Sequence, residues 1–351
     1  MDNLYCAREP VSGIPMLVWP ASMKISGLFV MGAAMSSALL MGESDYRRSG
    51  DDHFYNLEYD AAIADFVRLI AQNPADPISY NRLASAELYR EMYRLGLLDS
   101  SALGPDDRFL RDQRAQADPS ARSRFLDALE RGRRTAERAL GQDPRSKFAL
   151  YALCTDYALR ATYDFMVDKS WFSALRNGSK ARGYCDQARK LDPQFIDAYL
   201  VLGVFEYTAG SLAWPIKLLT AMGGLHGTKE RGIEYVARVA QDGRDDRDAA
   251  RVLLAVLYHR EKHPERAAQI LEALMTEYPR NYIFGLELAT MYAEAEQPER
   301  ALGVLKMLVQ KAEQNAAGYG RLPREIVQRK IEALEIRQLA SDPADASRAW
   351  R

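Results

Sequence analysis

The sequence predicts an all-α fold, an α-solenoid of stacked helix-turn-helix units with inserted loops and a C-terminal capping helix. Three observations carry this reading. Residues 248–281 and 282–315 superpose at an offset of 34, with Tyr258 on Tyr292, Pro264 on Pro298, Ala267 on Ala301, Leu271 on Leu305 and Leu274 on Leu308. A fixed period of that length marks helical hairpins that bury their apolar faces only against a neighbour. Apolar residues recur at helical spacing, as in Val252, Leu254, Ala255 and Tyr258, and the runs break at Pro264 and Pro279, since proline cannot continue a helix but can begin the next one. The 19 tyrosines suit helices that use aromatic rings as wedges.

Residues 1–22 precede Met23-Lys24 and the uncharged run 25–42, ISGLFVMGAAMSSALLMG. A start, one positive charge and a short apolar segment have the form of a bacterial export signal. Residues 1–22 are therefore read as an over-extended start, and 23–42 as a signal peptide or membrane anchor, with cleavage after Ala38 or Gly42. A buried first helix is the remaining reading of the same run.

The solenoid is expected over 43–315, in about five units. Tyr59, Ala62, Phe66 and Pro74 match the second helix of a unit, and a first helix starts near Pro77 with Tyr80, Leu83, Ala84, Leu88 and Tyr89 on one period. Residues 97–120 read as a loop, and its partner helix runs from Ser120 to Gln142. The arginines there, including Arg122, Arg124, Arg131, Arg133 and Arg134, alternate with Asp118, Asp127, Glu130 and Glu137, which reads as a solvated face with internal ion pairs. The third unit, 148–193, exceeds 34 residues, so 168–180 reads as inserted. The fourth opens with Phe195, Tyr199, Leu202, Gly203 and Tyr207, departs from the period over 211–227, and resumes from Thr228 to Gln241. After the two best repeats, residues 316–351 read as a capping helix with Ile326, Ile331, Leu334 and Ile336, followed by a frayed tail.

The series Leu254-Ala255, Tyr258, Ala267, Leu271 and Pro279 resembles the tetratricopeptide repeat (TPR), and that resemblance implies a right-handed α-solenoid. More faintly, 195–315 with its insert resembles the inclusion-body-clearance type of TPR protein of the mitochondrial outer membrane; no function is taken from it. The TPR resemblance further implies that the first helices of successive units line a concave groove. Placed on that geometry, Asn81, Tyr89, Tyr151, Thr155, Tyr207, His259, Arg260 and Glu294 face the groove, and aromatics beside polar groups suit an extended peptide.

Charged residues make up 27% of the chain and nearly cancel, to a formal net charge of -1, which leaves no basic field to draw nucleic acid. Three cysteines and four histidines are few for a disulfide framework or a metalloenzyme. His259 and His263 have a ligand-like spacing but no visible third donor, and Gly223 to Lys229 lacks the residue order of a phosphate loop. No cofactor, metal or catalytic triad is expected, and no enzymatic activity. Cys154 and Cys185 fall where the two helices of one unit face each other. They are either two small buried hydrophobes, the favoured reading, or a disulfide pair if the chain is exported.

These readings converge on a protein-protein interaction scaffold of the bacterial cell envelope, exported to the periplasm or anchored, that binds a protein or peptide in its groove. The alternative is an exported small-molecule-binding accessory of a solute transporter, in which the insert from Trp214 to His226 roofs an apolar cavity.

Overall fold

The computed structural model describes residues 45–98, 116–211 and 227–341. The readings made for 1–44, for most of the 97–120 loop and the 211–227 insert, and for the tail beyond Ser341 lie outside them. Among the described residues every regular element is helical. Helix α1 spans 45–55. It is followed by α2 Tyr59–Gln72, α3 Pro77–Arg94, α4 Pro119–Gln142, α5 Lys147–Met166, α6 Trp171–Leu191, α7 Tyr199–Ser211, α8 Lys229–Asp242, α9 Arg247–Arg260, α10 Pro264–Glu277, α11 Tyr282–Glu294, α12 Pro298–Glu313 and α13 Arg324–Ser341. Each odd-numbered helix up to α11 pairs with the even one after it, and α13 packs on α12 as the cap.

Local chemistry sets the boundaries. Asp76 and Asp118 accept hydrogen bonds from the first free backbone N–H groups of α3 and α4, each with proline at the first helical turn. Thr228 caps α8 and Asn281 caps α11 in the same way. The turns inside three of the pairs are copies of one another. Leu57, Lys262 and Glu296 have φ of 64°, 64° and 57°, and the next residue in each donates back five positions: Glu58 to His53 at 2.9 Å, His263 to Tyr258 at 2.8 Å, Gln297 to Tyr292 at 2.8 Å. That backbone pattern ends a helix in a left-handed residue and satisfies its last carbonyls. It also shows α1–α2 to be a full unit, so the described residues hold six helix pairs where the periodicity alone indicates about five.

Packing relies on small residues at the crossings. Ala62, Ala84, Ala136, Ala181, Ala250, Ala267 and Ala301 are wholly buried, which lets helix backbones approach while Phe66, Phe125, Leu274 and Leu305 fill the space between. The expectation of an insertion at 168–180 is corrected: from Trp171 onward these residues are the first turns of α6. Gly178 and Gly183 lower helix propensity, each by about 1 kcal/mol relative to alanine. Burial of Ala181, Cys185 and Ala188 against α5 and the bond from Asn177 to Asp164 at 2.7 Å outweigh that cost.

The solenoid curls until its first unit meets its last ones. Tyr55 packs with the cluster of Ala255, Leu274 and Leu288, and Leu57 and Tyr93 join that of Tyr282, Leu305 and Leu308. The Tyr55 ring lies 5.0 Å from that of Tyr278, and Tyr93 lies 6.4 Å from Tyr282. Polar bonds complete the closure: Asn281 donates to the Tyr55 carbonyl at 2.7 Å, and the Arg280 guanidinium meets Asp52 at 2.6 Å and Glu58 at 2.8 Å.

Candidate partner-binding site

Four of the eight groove candidates lie on α3 and α5. Asn81 on α3 is buried and its amide has no hydrogen-bond partner among the described residues. Tyr89 lies edge-on to Phe54 of α1 at 5.2 Å. Tyr151 on α5 is buried and donates its hydroxyl hydrogen bond to Asp246, just before α9. Thr155 is half-buried, with no partner for its hydroxyl among the described residues.

Around them the first helices converge on a charged cluster. Arg82 of α3 donates to Asp51 of α1 and to Asp245 at 2.9 Å, and Arg47 of α1 reaches Asp245 at 2.9 Å. Asp197 holds the approach to α9 by accepting from the N–H groups of Arg244, Asp245 and Asp246 at 3.0, 3.1 and 3.0 Å. Desolvation pushes Asp246 up to about 7, with Asp197 and Asp245 adding repulsion and the Tyr151 hydroxyl and Arg82 opposing it. Sequence reasoning missed this cluster, because its members come from four distant stretches and each reads alone as an ordinary surface charge.

The other four candidates lie on a rim formed by the C-terminal ends of α7, α9 and α11. Tyr207 donates to Glu261 at 2.7 Å, and Lys229 donates to the same oxygen at 2.7 Å. The bond from Lys229, then that from Tyr207, holds the Glu261 carboxyl below its usual range. Burial first, and Glu261 second, push the Tyr207 hydroxyl up. His259 pairs with Glu294 at 3.0 Å, and Arg260 and Glu294 are exposed. The result is a ladder of alternating charge across three successive units, with its outer groups in solvent. Glu261 and Lys229 were not legible as members: Glu261 has an alanine, Ala295, at the matching place one repeat later.

His263 does not join His259. It stands at the N-terminal boundary of α10 without a side-chain cap bond, its ring 6.4 Å from Tyr258, and among the described residues no group of three or more His, Cys, Asp or Glu is placed to hold a metal ion. Cys154 and Cys185, both buried, are joined in a disulfide between α5 and α6. The insert from Trp214 to His226, on which the small-molecule reading depends, lies outside the described residues, and with it 223–226 of the glycine-rich stretch.

Residues 258–322 match the tetratricopeptide repeat family model. Solved structures similar to the chain include a thermophilic TPR protein of Thermus thermophilus, 16% identical, covering 72% of this chain and 99% of that one with a TM-score of 0.38. A tetratricopeptide repeat protein of Parabacteroides merdae is 16% identical over 84% and 99% of the two chains, with a TM-score of 0.33. Yeast Tom70 is 13% identical over 92% and 97%, with a TM-score of 0.27. No curated protein matches the chain. The paired helices define an all-α helical-repeat fold, and the repeats within 258–322 match the tetratricopeptide repeat.

Proposed function

We propose that this protein is an interaction scaffold of the bacterial cell envelope that takes an extended segment of a partner protein along the rim of Tyr207, His259, Arg260 and Glu294. The observation that carries this reading is the ladder itself. It offers both charge signs on rigid helix ends, with exposed outer groups, whereas Tyr89 packs against Phe54 of the chain's own first unit and Tyr151 is tied to Asp246 ahead of α9. An extended peptide meets such a row through alternate side chains and needs no enclosed pocket. The envelope location draws support from the disulfide between Cys154 and Cys185, which persists in oxidising compartments and is rare in the cytosol, and from the export-like run 25–42.

The test is partner capture from the native envelope fraction with the full chain and a variant carrying Tyr207→Phe, Arg260→Ala and Glu294→Ala. Tyr207→Phe is used in place of alanine because the ring is buried. Loss of the specific partner with unchanged thermal stability supports the rim. Undiminished capture sinks it.

A further inference from the structure

We propose that the outer face at the start of α6 is a docking surface for a bilayer bearing anionic lipid headgroups. Phe172 is 90% exposed, and Trp171 and Leu175 are each 51% exposed. On a helix these three share one arc, since residues four apart stack above one another. The opposite arc, Asn177, Ala181, Cys185 and Ala188, is buried. The Trp171 ring stands edge-on to Phe165 at 4.8 Å, so the aromatic edge is held in place by packing.

Charge selects the occupant. Residues 168–182 carry Lys169, Arg176, Lys180 and Arg182 against one acid, Asp168, and Asp168 accepts from Arg122 at 3.0 Å. This local excess of positive charge stands out in a chain of formal net charge -1. Arg176 and Lys180 lie one and two turns beyond Phe172 and are exposed. An aromatic and leucine wedge bordered by lysine and arginine is the chemistry of a helix that lies in the headgroup plane. Among the described residues no helix is long and apolar enough to cross a membrane, so the contact is one of a helix lying on the surface.

The test uses the full chain with Trp19, Trp214 and Trp350 replaced by phenylalanine, leaving Trp171 as the single tryptophan of the 4 present. Its emission is read with vesicles of phosphatidylcholine, alone or mixed with phosphatidylglycerol, with and without brominated acyl chains. A blue shift and bromine quenching on the anionic vesicles are expected. Arg176→Ala with Lys180→Ala should weaken that response about thirtyfold, and Phe172→Glu with Leu175→Glu should abolish it. Unchanged emission on both vesicle types overturns the proposal. So does quenching that is equal on zwitterionic vesicles or survives Phe172→Glu with Leu175→Glu. A bilayer contact made through residues 25–42 alone would bind vesicles without altering Trp171, so the two are told apart. Because Phe172 projects into solvent, circular dichroism of its variant should match the parent.

Discussion

The backbone N–H of Arg280 donates to Asn56 Oδ1 at 2.9 Å across 224 residues of sequence. Asn56 is wholly buried and also donates to the Asp52 carbonyl at 2.9 Å. One side chain therefore ties the turn between the first two helices to the turn between α10 and α11, and the Arg280 guanidinium adds Asp52 and Glu58. A solenoid that would otherwise end in two free faces is closed on itself. Asn56→Ala should strand the Arg280 N–H and cost about 1 to 3 kcal/mol in urea unfolding. Arg280→Lys keeps the charge but loses the fork. Both variants should show a larger radius of gyration by small-angle scattering; an unchanged radius would mean that the closure holds without these bonds.

A second prediction concerns the close approach of α7 and α8. A Cβ at Gly232 would sit 2.5 Å from the Tyr207 backbone nitrogen, and one at Gly203 would sit 2.9 Å from the Gly232 carbonyl. Gly232→Ala must push the helices apart, destabilising by about 1 to 3 kcal/mol and moving Tyr207 off Glu261. A differential scanning trace and partner capture read the two effects separately.

The disulfide closes a loop of 31 residues. In the chain-entropy account a loop of that size contributes about 3 to 4 kcal/mol. Cys154→Ser with Cys185→Ser should lower the midpoint of thermal unfolding, and dithiothreitol should lower that of the parent while leaving the variant unmoved. Equal midpoints in all cases would count against the bond.

Asp156 supplies a pH signature. It is 2% exposed, and burial, reinforced by Glu137 and opposed by Arg133, pushes its carboxyl up to about 7. A folded value above the unfolded one means that the native state holds the extra proton between pH ~4 and pH ~7. Stability from this group is thus fully present below the unfolded value and is lost as pH rises through the folded one. Asp156→Asn should flatten that decline and add on the order of a few kcal/mol at pH ~8 relative to the parent. An unaltered slope between those limits would show that other groups set it.

The units were legible because their chemistry is local: Pro264 and Pro298 at helix starts, Ala267 and Ala301 at crossings, Tyr258 and Tyr292 before the turns. The start of helix α6 was harder to read, since Ser170, Ser173 and Gly178 look like loop residues until α5 covers their neighbours. The closure was not legible. Arg280, Asn56 and Asp52 lie in polar stretches, and nothing in a period of 34 states how far successive units rotate before the ends meet. For the same reason Tyr89 and Tyr151 could be named from repeat geometry without revealing that Phe54 of the first unit packs against one and Asp246 accepts from the other. The rim was read only in part: Tyr207, His259, Arg260 and Glu294 follow from helix register, whereas Lys229 and Glu261 enter by proximity across units.

The central claim is that partners meet the rim and not the inner face. It is tested most directly by placing a photo-reactive benzophenone side chain at Glu294 or at Tyr151 in living cells and comparing adducts after irradiation. Partner adducts are expected from position 294, lost with Arg260→Ala, and only links within the chain from position 151. Partner adducts from 151 with none from 294 would contradict the claim, and would mean that the ring opens to take its ligand inside.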